Sequence, residues 1–171
     1  MDAERLSLQD LLTAIFATTE RRGAVLVCLF LLQILLSDPM KINLNAIAKI
    51  ESGGNAKAFN WKTKATGIYQ ITPICLKDWN QEHPESPYML ADLWNARINE
   101  QIADWYLHVR LPQILDTLDV PVTEETLLYA FNWGPGNVRK AYRPQIGERV
   151  PKIPIETRNY VANYRRIVAG L

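Results

Sequence analysis

The chain has 171 residues, of which 48% are hydrophobic and 22% are charged, and its formal net charge at neutral pH is +1. This length and composition are typical of one globular domain that buries its own core, with a short attachment. The near balance of charge does not indicate strong binding to a polyanion, and no recognition motif accompanies the basic residues near the C-terminus, so we predict no nucleic-acid partner.

An apolar stretch near the N-terminus is the first feature in chain order. Residues 23–36 are interrupted by a single polar residue, Gln33, and follow Arg21 and Arg22. A helix of this length rises about 21 Å, which is less than the roughly 30 Å hydrocarbon layer and closer to the core of a signal peptide. No A-x-A-like cleavage site follows. Three interpretations stay open: an uncleaved short membrane anchor, a slowly cleaved signal, and a hydrophobic helix packed on the protein.

This stretch determines the predicted domain division and location. We predict a signal-like or anchor-like segment over residues 1–42 and a catalytic domain over residues 43–171. Because paired arginines favour a cytoplasmic N-terminus, the catalytic domain is predicted to face outward, in the periplasm or cell envelope. Cys28 and Cys75 lie on opposite sides of the division, so they say little about the compartment.

Glu51 stands at the end of the first helical pattern of the second part. Apolar residues recur at helical spacing over residues 44–50, and E-S-G-G-N follows at residues 51–55. No other acidic residue occurs between Glu51 and Asp78. A carboxyl group among apolar neighbours keeps its proton to a higher pH, so Glu51 is a candidate general acid. The alternative is a solvated residue at a helix C-terminus, since helices often end at glycine.

Helices account for the rest of the predicted structure, and no strand pattern of comparable strength occurs. The glycine- and proline-rich residues 134–137 are predicted to form a loop. The predicted helices cover residues 44–51 (capped by Asn43 or Asn45), 73–80, 91–109 (with Trp94 and Trp105 as packing residues), 112–118, 124–131 (capped by Thr123), and a last helix from Glu156.

Four sequence blocks carry a family resemblance. They are E-S-G-G-N at residues 51–55, G-I-Y-Q at 67–70, Y-A-F-N-W-G-P-G at 129–136 and E-T-R-N-Y-V at 156–161. In this order they resemble the soluble lytic transglycosylase family, the goose-lysozyme-like enzymes that cut peptidoglycan. The resemblance runs from about Asn43 to the C-terminus. It implies a mainly α, lysozyme-like domain with a small β-hairpin over residues 60–72, which here follows the N-terminal hydrophobic helix.

The resemblance also implies roles for individual residues. Glu51 would be the single general acid and base that cleaves the β-1,4 bond between N-acetylmuramic acid and N-acetylglucosamine and leaves 1,6-anhydro ends. Gln70 and Asn132 would bind the saccharide, unless they are a loop residue and a helix cap. Tyr160 would point its hydroxyl at Glu51, unless it is a core residue. Ser52 would orient the substrate or the Glu51 backbone, although a serine beside a glutamate is unremarkable by itself.

Some positions depart from the family pattern. Phe131 replaces the usual Tyr, Tyr69 stands where Met is common, and Trp133 replaces the usual Ala. Trp133 would place an aromatic face beside the cleft, where it narrows the site or stacks on a sugar ring. The loop over residues 53–66 carries three lysines, which either meet acidic peptide stems or are solvated. A helical stretch from Asn99 onward also resembles a family helix.

Two other functions stay open beside the transglycosylase. One is a lysozyme-type hydrolase that activates water, and the other is a non-catalytic module that binds peptidoglycan. We expect glycan strands of peptidoglycan as the partner, with membrane anchoring through residues 23–36 and a secretion, conjugation or phage assembly as the setting. No cofactor is expected. No metal is expected either, because His83 and His108 lack a Cys or acidic partner at metal-site spacing.

Overall fold

The computed structural model describes residues 41–171, which are mainly α-helical, as predicted. The helical segments include a 3-10 helix, Leu90–Trp94, and a π-helical segment, Tyr106–Arg110. The α-helices in this part of the chain are α1 Leu44–Ser52, α2 Pro73–Glu82, α3 Ala96–Trp105, α4 Leu111–Thr117, α5 Glu124–Trp133, α6 Pro135–Tyr142 and α7 Ile155–Val168.

Several sequence-based predictions concern residues that the structure does not describe. The anchor or signal segment over residues 23–36 lies outside the described residues, and so does Cys28. Cys75, in α2, is a buried free thiol. No helix within residues 41–171 is both long enough and apolar enough to cross a membrane.

Side-chain caps begin the helices that carry the site. Asn43 caps α1, because its Oδ1 accepts a hydrogen bond from the Ala46 backbone N–H at 3.2 Å. Thr123 caps α5 in the same way, and its partner in the capping box is Thr126. Gly53 ends α1 in the left-handed conformation, with φ of 65°, which glycine adopts without a Cβ clash. These ends place Glu51 in the last turn of α1.

The core lies where α1, α3, α5 and α7 pack together. Fully buried aliphatic side chains fill it, among them Ile47, Ile102 and Leu128. Two hydrogen bonds from distant elements hold the start of α1 on this core. The Asn43 backbone N–H donates to the Tyr164 hydroxyl at 2.8 Å, and the Ile42 backbone N–H donates to His108 Nε2 at 2.9 Å.

Three expectations about the helices are wrong. Residues 134–137 do not form a loop, because Pro135 begins α6 at a position where its missing N–H costs nothing. The helix expected over residues 91–109 is divided into 3-10, α and π segments. Trp94 does not pack in the core, since it is 44% exposed and its ring lies beside that of Phe59. In the first case glycine next to proline indicates a loop as readily as a helix start. In the other two, apolar periodicity alone does not distinguish the alternatives.

His108 also differs from the expectation. Its Nδ1 lies 2.8 Å from Asp104 Oδ1, one helical turn earlier, so it does have an acidic partner. No group of three or more potential metal ligands occurs among residues 41–171.

The loop between α1 and α2 contains little β-structure. Isolated antiparallel bridges join Phe59 to Thr66 and Thr66 to Ile71, and no longer strand occurs within the described chain. The second bridge has two hydrogen bonds of 3.0 Å between Thr66 and Ile71 backbone groups. The pairing is therefore shorter than the hairpin implied by the resemblance.

Candidate active site

A cleft of about 530 Å³ lies between the end of α1, the loop before α2, and the end of α5. Glu51 is the only carboxylate among its lining residues, which are otherwise neutral. The lining residues are Glu51, Asn60, Thr63, Ala65, Gln70, Ile71, Thr72, Ile74, Cys75, Tyr106, Ala130, Phe131, Asn132, Trp133, Gly134 and Pro135.

Glu51 is partly buried in one wall of this cleft. Burial raises its pKa from 4.5 to about 7, because the charged form loses hydration, and a hydrogen bond from Tyr160 partly opposes the rise. No lysine, arginine or histidine in residues 41–171 forms an ion pair with Glu51. The carboxyl group can therefore hold a proton near neutral pH and also release it.

Tyr160 supplies the hydrogen bond to Glu51. Its hydroxyl donates to Glu51 Oε1 at 2.8 Å, across 109 positions of sequence. Burial and the neighbouring carboxylate raise the pKa of Tyr160 well above its usual range, so the phenol keeps its proton. Tyr160 is not a lining residue of the cleft. It reaches Glu51 from α7, behind the cleft wall.

Ser52 connects α1 to the loop that follows it. Its hydroxyl lies 2.7 Å from the Ile68 carbonyl oxygen and 3.3 Å from the Ala48 carbonyl oxygen, to which it donates. Like Tyr160, it does not line the cleft. The Ser52 hydroxyl therefore links the last turn of the Glu51 helix to the loop that carries Gln70.

Gln70 lines the cleft in a left-handed backbone conformation, with φ of 49°. Its Nε2 donates to the Gly67 carbonyl oxygen at 2.9 Å and is 3.3 Å from that of Ala58. The amide nitrogen therefore closes the loop that carries it. The side-chain oxygen is the part of the amide that is left to accept a hydrogen bond from a ligand.

Asn99 anchors the same loop through side-chain hydrogen bonds, a role that the sequence did not predict. It is fully buried, and its Nδ2 donates to the carbonyl oxygens of Thr66 and Leu93 while its Oδ1 accepts from the Tyr69 backbone N–H. Gly67 packs so closely that an added Cβ would lie 2.4 Å from Asn99 Nδ2. A lone amide on the apolar face of a helix is the signal for such an anchor.

Asn132 and its neighbours at the end of α5 line another part of the cleft. Asn132 is exposed, near the end of α5, and lines the cleft. Gly134, not Asn132, is the C-cap residue of α5, so the cap alternative is not the role it has here. Phe131 and Trp133 flank it and also line the cleft, which puts aromatic surface beside the amide.

Asp78 and Glu156 do not supply a second carboxylate to the cleft. Asp78 accepts two hydrogen bonds from Arg110, at 2.9 and 2.8 Å. Glu156 is exposed in the first turn of α7. Neither lines the cleft. An ordinary retaining or inverting glycosidase needs two carboxyl groups across the scissile bond, and the described residues provide one.

Comparison with known proteins gives one match. The family described as transglycosylase SLT domain matches residues 39–148, which is more than half of the chain. The matched range includes Glu51, the loop with Gln70, and the end of α5 with Asn132. No curated protein and no solved structure matches the chain.

Proposed function

Because the chain belongs to the transglycosylase SLT domain family, whose members cleave peptidoglycan, we propose that it is a lytic transglycosylase with Glu51 as its only acid and base. The bond cleaved is the β-1,4 linkage between N-acetylmuramic acid and N-acetylglucosamine. The observation that carries this proposal is a single carboxyl group in the cleft, without an ion-pair partner among the described residues and with a pKa of about 7.

In the first step Glu51 acts as the acid. Its protonated carboxyl group transfers the proton to the glycosidic oxygen, the bond from that oxygen to muramoyl C1 breaks, and the N-acetylglucosamine part leaves with a free hydroxyl. The oxygen of the muramoyl N-acetyl group bonds to C1 and replaces the missing second carboxylate, as in substrate-assisted glycosidases. Tyr160 donates to the resulting Glu51 carboxylate and stabilises its charge.

In the second step the same carboxylate acts as the base. It removes the proton of the C6 hydroxyl, O6 bonds to C1, and the acetamide oxygen is released. The products are a 1,6-anhydro end and a protonated Glu51, so the enzyme returns to its starting state without consuming water. A carboxyl group with a pKa near neutrality suits both roles, because neither direction of proton transfer is strongly unfavourable.

The remaining site residues are assigned to binding and positioning. Asn132 and the side-chain oxygen of Gln70 would form hydrogen bonds to the saccharide, since both residues line the cleft and the Gln70 amide nitrogen already donates within its loop. Ser52 would fix the position of the Glu51 helix relative to the Gln70 loop through its hydrogen bond to the Ile68 carbonyl oxygen. Tyr160 is a positioning residue for Glu51.

The proposed location follows from the substrate, because peptidoglycan lies in the cell envelope. Residues 43–171 would form the outward-facing catalytic domain, and residues 23–36 would attach it to the membrane. Protease added to intact spheroplasts should digest the catalytic domain. Protection of that domain until the cells are lysed would contradict the outward orientation.

A substitution of the acid tests the assignment. Glu51→Gln in the full chain should lower the release of soluble fragments from purified sacculi at least about a hundredfold, the usual contribution of a general acid. Glu156→Gln is the matched control, because it makes the same chemical change at an exposed position of α7. Equal activity of Glu51→Gln and the parent would remove Glu51 from the mechanism.

A further inference from the structure

An aromatic patch lies where the loop between α1 and α2 meets the 3-10 helix Leu90–Trp94. Trp61 is 78% exposed, and Trp94, across from it, is 44% exposed. Phe59 lies between them, with ring centroids 4.7 Å from Trp61 and 5.8 Å from Trp94. We call Phe59, Trp61 and Trp94 the aromatic patch. Clustered apolar surface of this kind is unfavourable in water, and it marks a site of binding more often than isolated exposed residues do.

Short-range hydrogen bonds hold Trp61 at the tip of a closed turn. The Asn60 backbone N–H donates to the Ala65 carbonyl oxygen at 2.9 Å, and the Lys64 N–H donates to that of Asn60 at 2.7 Å. Asn60 Oδ1 also accepts from the backbone N–H groups of Lys62 and Thr63. The turn is thus closed by its own hydrogen bonds, which lowers the entropy cost of binding there.

The turn also forms part of the cleft. Asn60, Thr63 and Ala65 line the same cleft as Glu51, and Trp61 stands between the first two. A polymer longer than the cleft that leaves it over this turn passes the aromatic patch. Trp61 therefore lies next in the chain to residues that line the candidate active site, although it does not line the cleft itself.

The charge of the turn suits the same polymer. Lys62 and Lys64 are exposed, and Lys64 Nζ lies 5.2 Å from the centre of the Trp61 ring. No acidic residue occurs between Glu51 and Asp78, so the turn carries positive charge only. Sugar rings present apolar C–H faces to aromatic rings, whereas peptide stems carry carboxylates that attract lysine.

We propose that the aromatic patch is a second saccharide-binding site, where Trp61 stacks on a sugar ring of the glycan strand outside the cleft and Lys62 and Lys64 attract the acidic peptide stem. This inference rests on the proposed function, because it takes the substrate strand as its ligand. It adds Trp61 to the residues that bind a long glycan strand during cleavage.

The test measures binding to sacculi with catalysis switched off. In the full chain carrying Glu51→Gln, addition of Trp61→Ala should weaken the apparent Kd for co-sedimentation with sacculi by about tenfold, the loss expected for one stacked aromatic ring. Trp61→Phe should restore binding to within about threefold of the parent, because it keeps an aromatic face. Ile146→Ala is the control for loss of an exposed apolar side chain, since Ile146 is fully exposed and lies outside the cleft and patch.

The outcomes separate this inference from the proposed function. If the parent with Glu51 releases fragments but Trp61→Ala leaves binding unchanged, the second site is wrong and the proposed function stands. If the parent neither binds nor cleaves sacculi, both are wrong. A loss that disappears on glycan strands stripped of peptide stems would also overturn the assignment of Trp61 to a sugar ring. The result expected is an equal weakening of binding by Trp61→Ala on intact and on stripped strands.

Discussion

The two sides of the cleft are built in different ways. On the Glu51 side, residues far apart in sequence meet: Tyr160 reaches Glu51 across 109 positions, and Asn99 reaches Tyr69 across 30. On the Trp61 side, the turn closes through hydrogen bonds among residues 60–65. The chemistry is therefore tied to the packing of the whole domain, whereas the turn can change its surface with little effect on the fold. Substitutions on the two sides should differ accordingly.

Gly67→Ala should give the largest loss of stability. Gly67 has φ of 81°, and an added Cβ would lie 2.4 Å from Asn99 Nδ2 and 2.6 Å from the Leu93 carbonyl oxygen. We expect the free energy of unfolding to fall by about 3 kcal/mol, from backbone strain and overpacking together. Urea denaturation measures it. Gly136→Ala is the control, because its added Cβ meets nothing within 4 Å, and a loss as large there would contradict the account.

The pH dependence of stability tests whether the surroundings of Glu51 raise its pKa. Because the folded-state pKa of Glu51 is raised to about 7, the folded state holds a proton that the unfolded state has lost between pH 4.5 and 7. Stability should therefore fall as pH rises through this window, by at most about 3 kcal/mol. Glu51→Gln should remove this fall. The free energy of unfolding of the variant should therefore rise relative to that of the parent from pH 4.5 to pH 8.

Urea denaturation of the parent, Glu51→Gln and Glu156→Gln across that range measures the difference. Glu156→Gln should follow the parent, because Glu156 is exposed. Parallel curves for the parent and Glu51→Gln would mean that Glu51 is not held protonated by its surroundings.

Tyr160→Phe should have a smaller effect, on activity and on its pH dependence. The Tyr160 hydroxyl lowers the pKa of Glu51, so its removal should move the loss of activity at high pH to a still higher pH. We also expect the maximal rate to fall about tenfold, because the carboxylate formed in the first step loses a hydrogen bond. Rates of fragment release measured across pH distinguish the two effects. A high-pH limb that stays in place would show that Tyr160 only packs.

Asn60→Ala should have the smallest effect on stability, and it tests whether the Trp61 side is less important for the fold than the Glu51 side. Its side chain accepts two backbone hydrogen bonds within an exposed turn, so the free energy of unfolding should fall by about 1 kcal/mol or less. Thermal or urea denaturation measures the change. A loss comparable with that of Gly67→Ala would mean that the turn is as deeply coupled to the fold as the Glu51 side.

Local signals explain which parts of the structure the sequence could predict. Caps and apolar spacing were enough for α1 and α5, because Asn43, Thr123 and the residues after them act within one turn. The start of α6 was missed, since glycine next to proline indicates a loop as readily as a helix start. The exposure of Trp94 depends on the division of its helix, which periodicity does not show.

The candidate site also contains features with a local sequence signal and features without one. The isolation of Glu51 along the chain was visible, because no acidic residue follows it before Asp78. Its contact with Tyr160 was expected from the family resemblance alone, since residues in different helices have no local signal that joins them. The Asn99 anchor was missed for this reason, although a buried amide on an apolar helix face indicates a partner.

The products of one digest test the central claim most directly. Purified parent protein is incubated with sacculi, and the soluble fragments are analysed by mass spectrometry. If Glu51 is the single acid and base and the C6 hydroxyl attacks C1, the fragments end in 1,6-anhydro-muramoyl units, each lighter by one water than a hydrolysed fragment. Fragments that end in reducing muramoyl units would contradict this account and identify a lysozyme-type hydrolase.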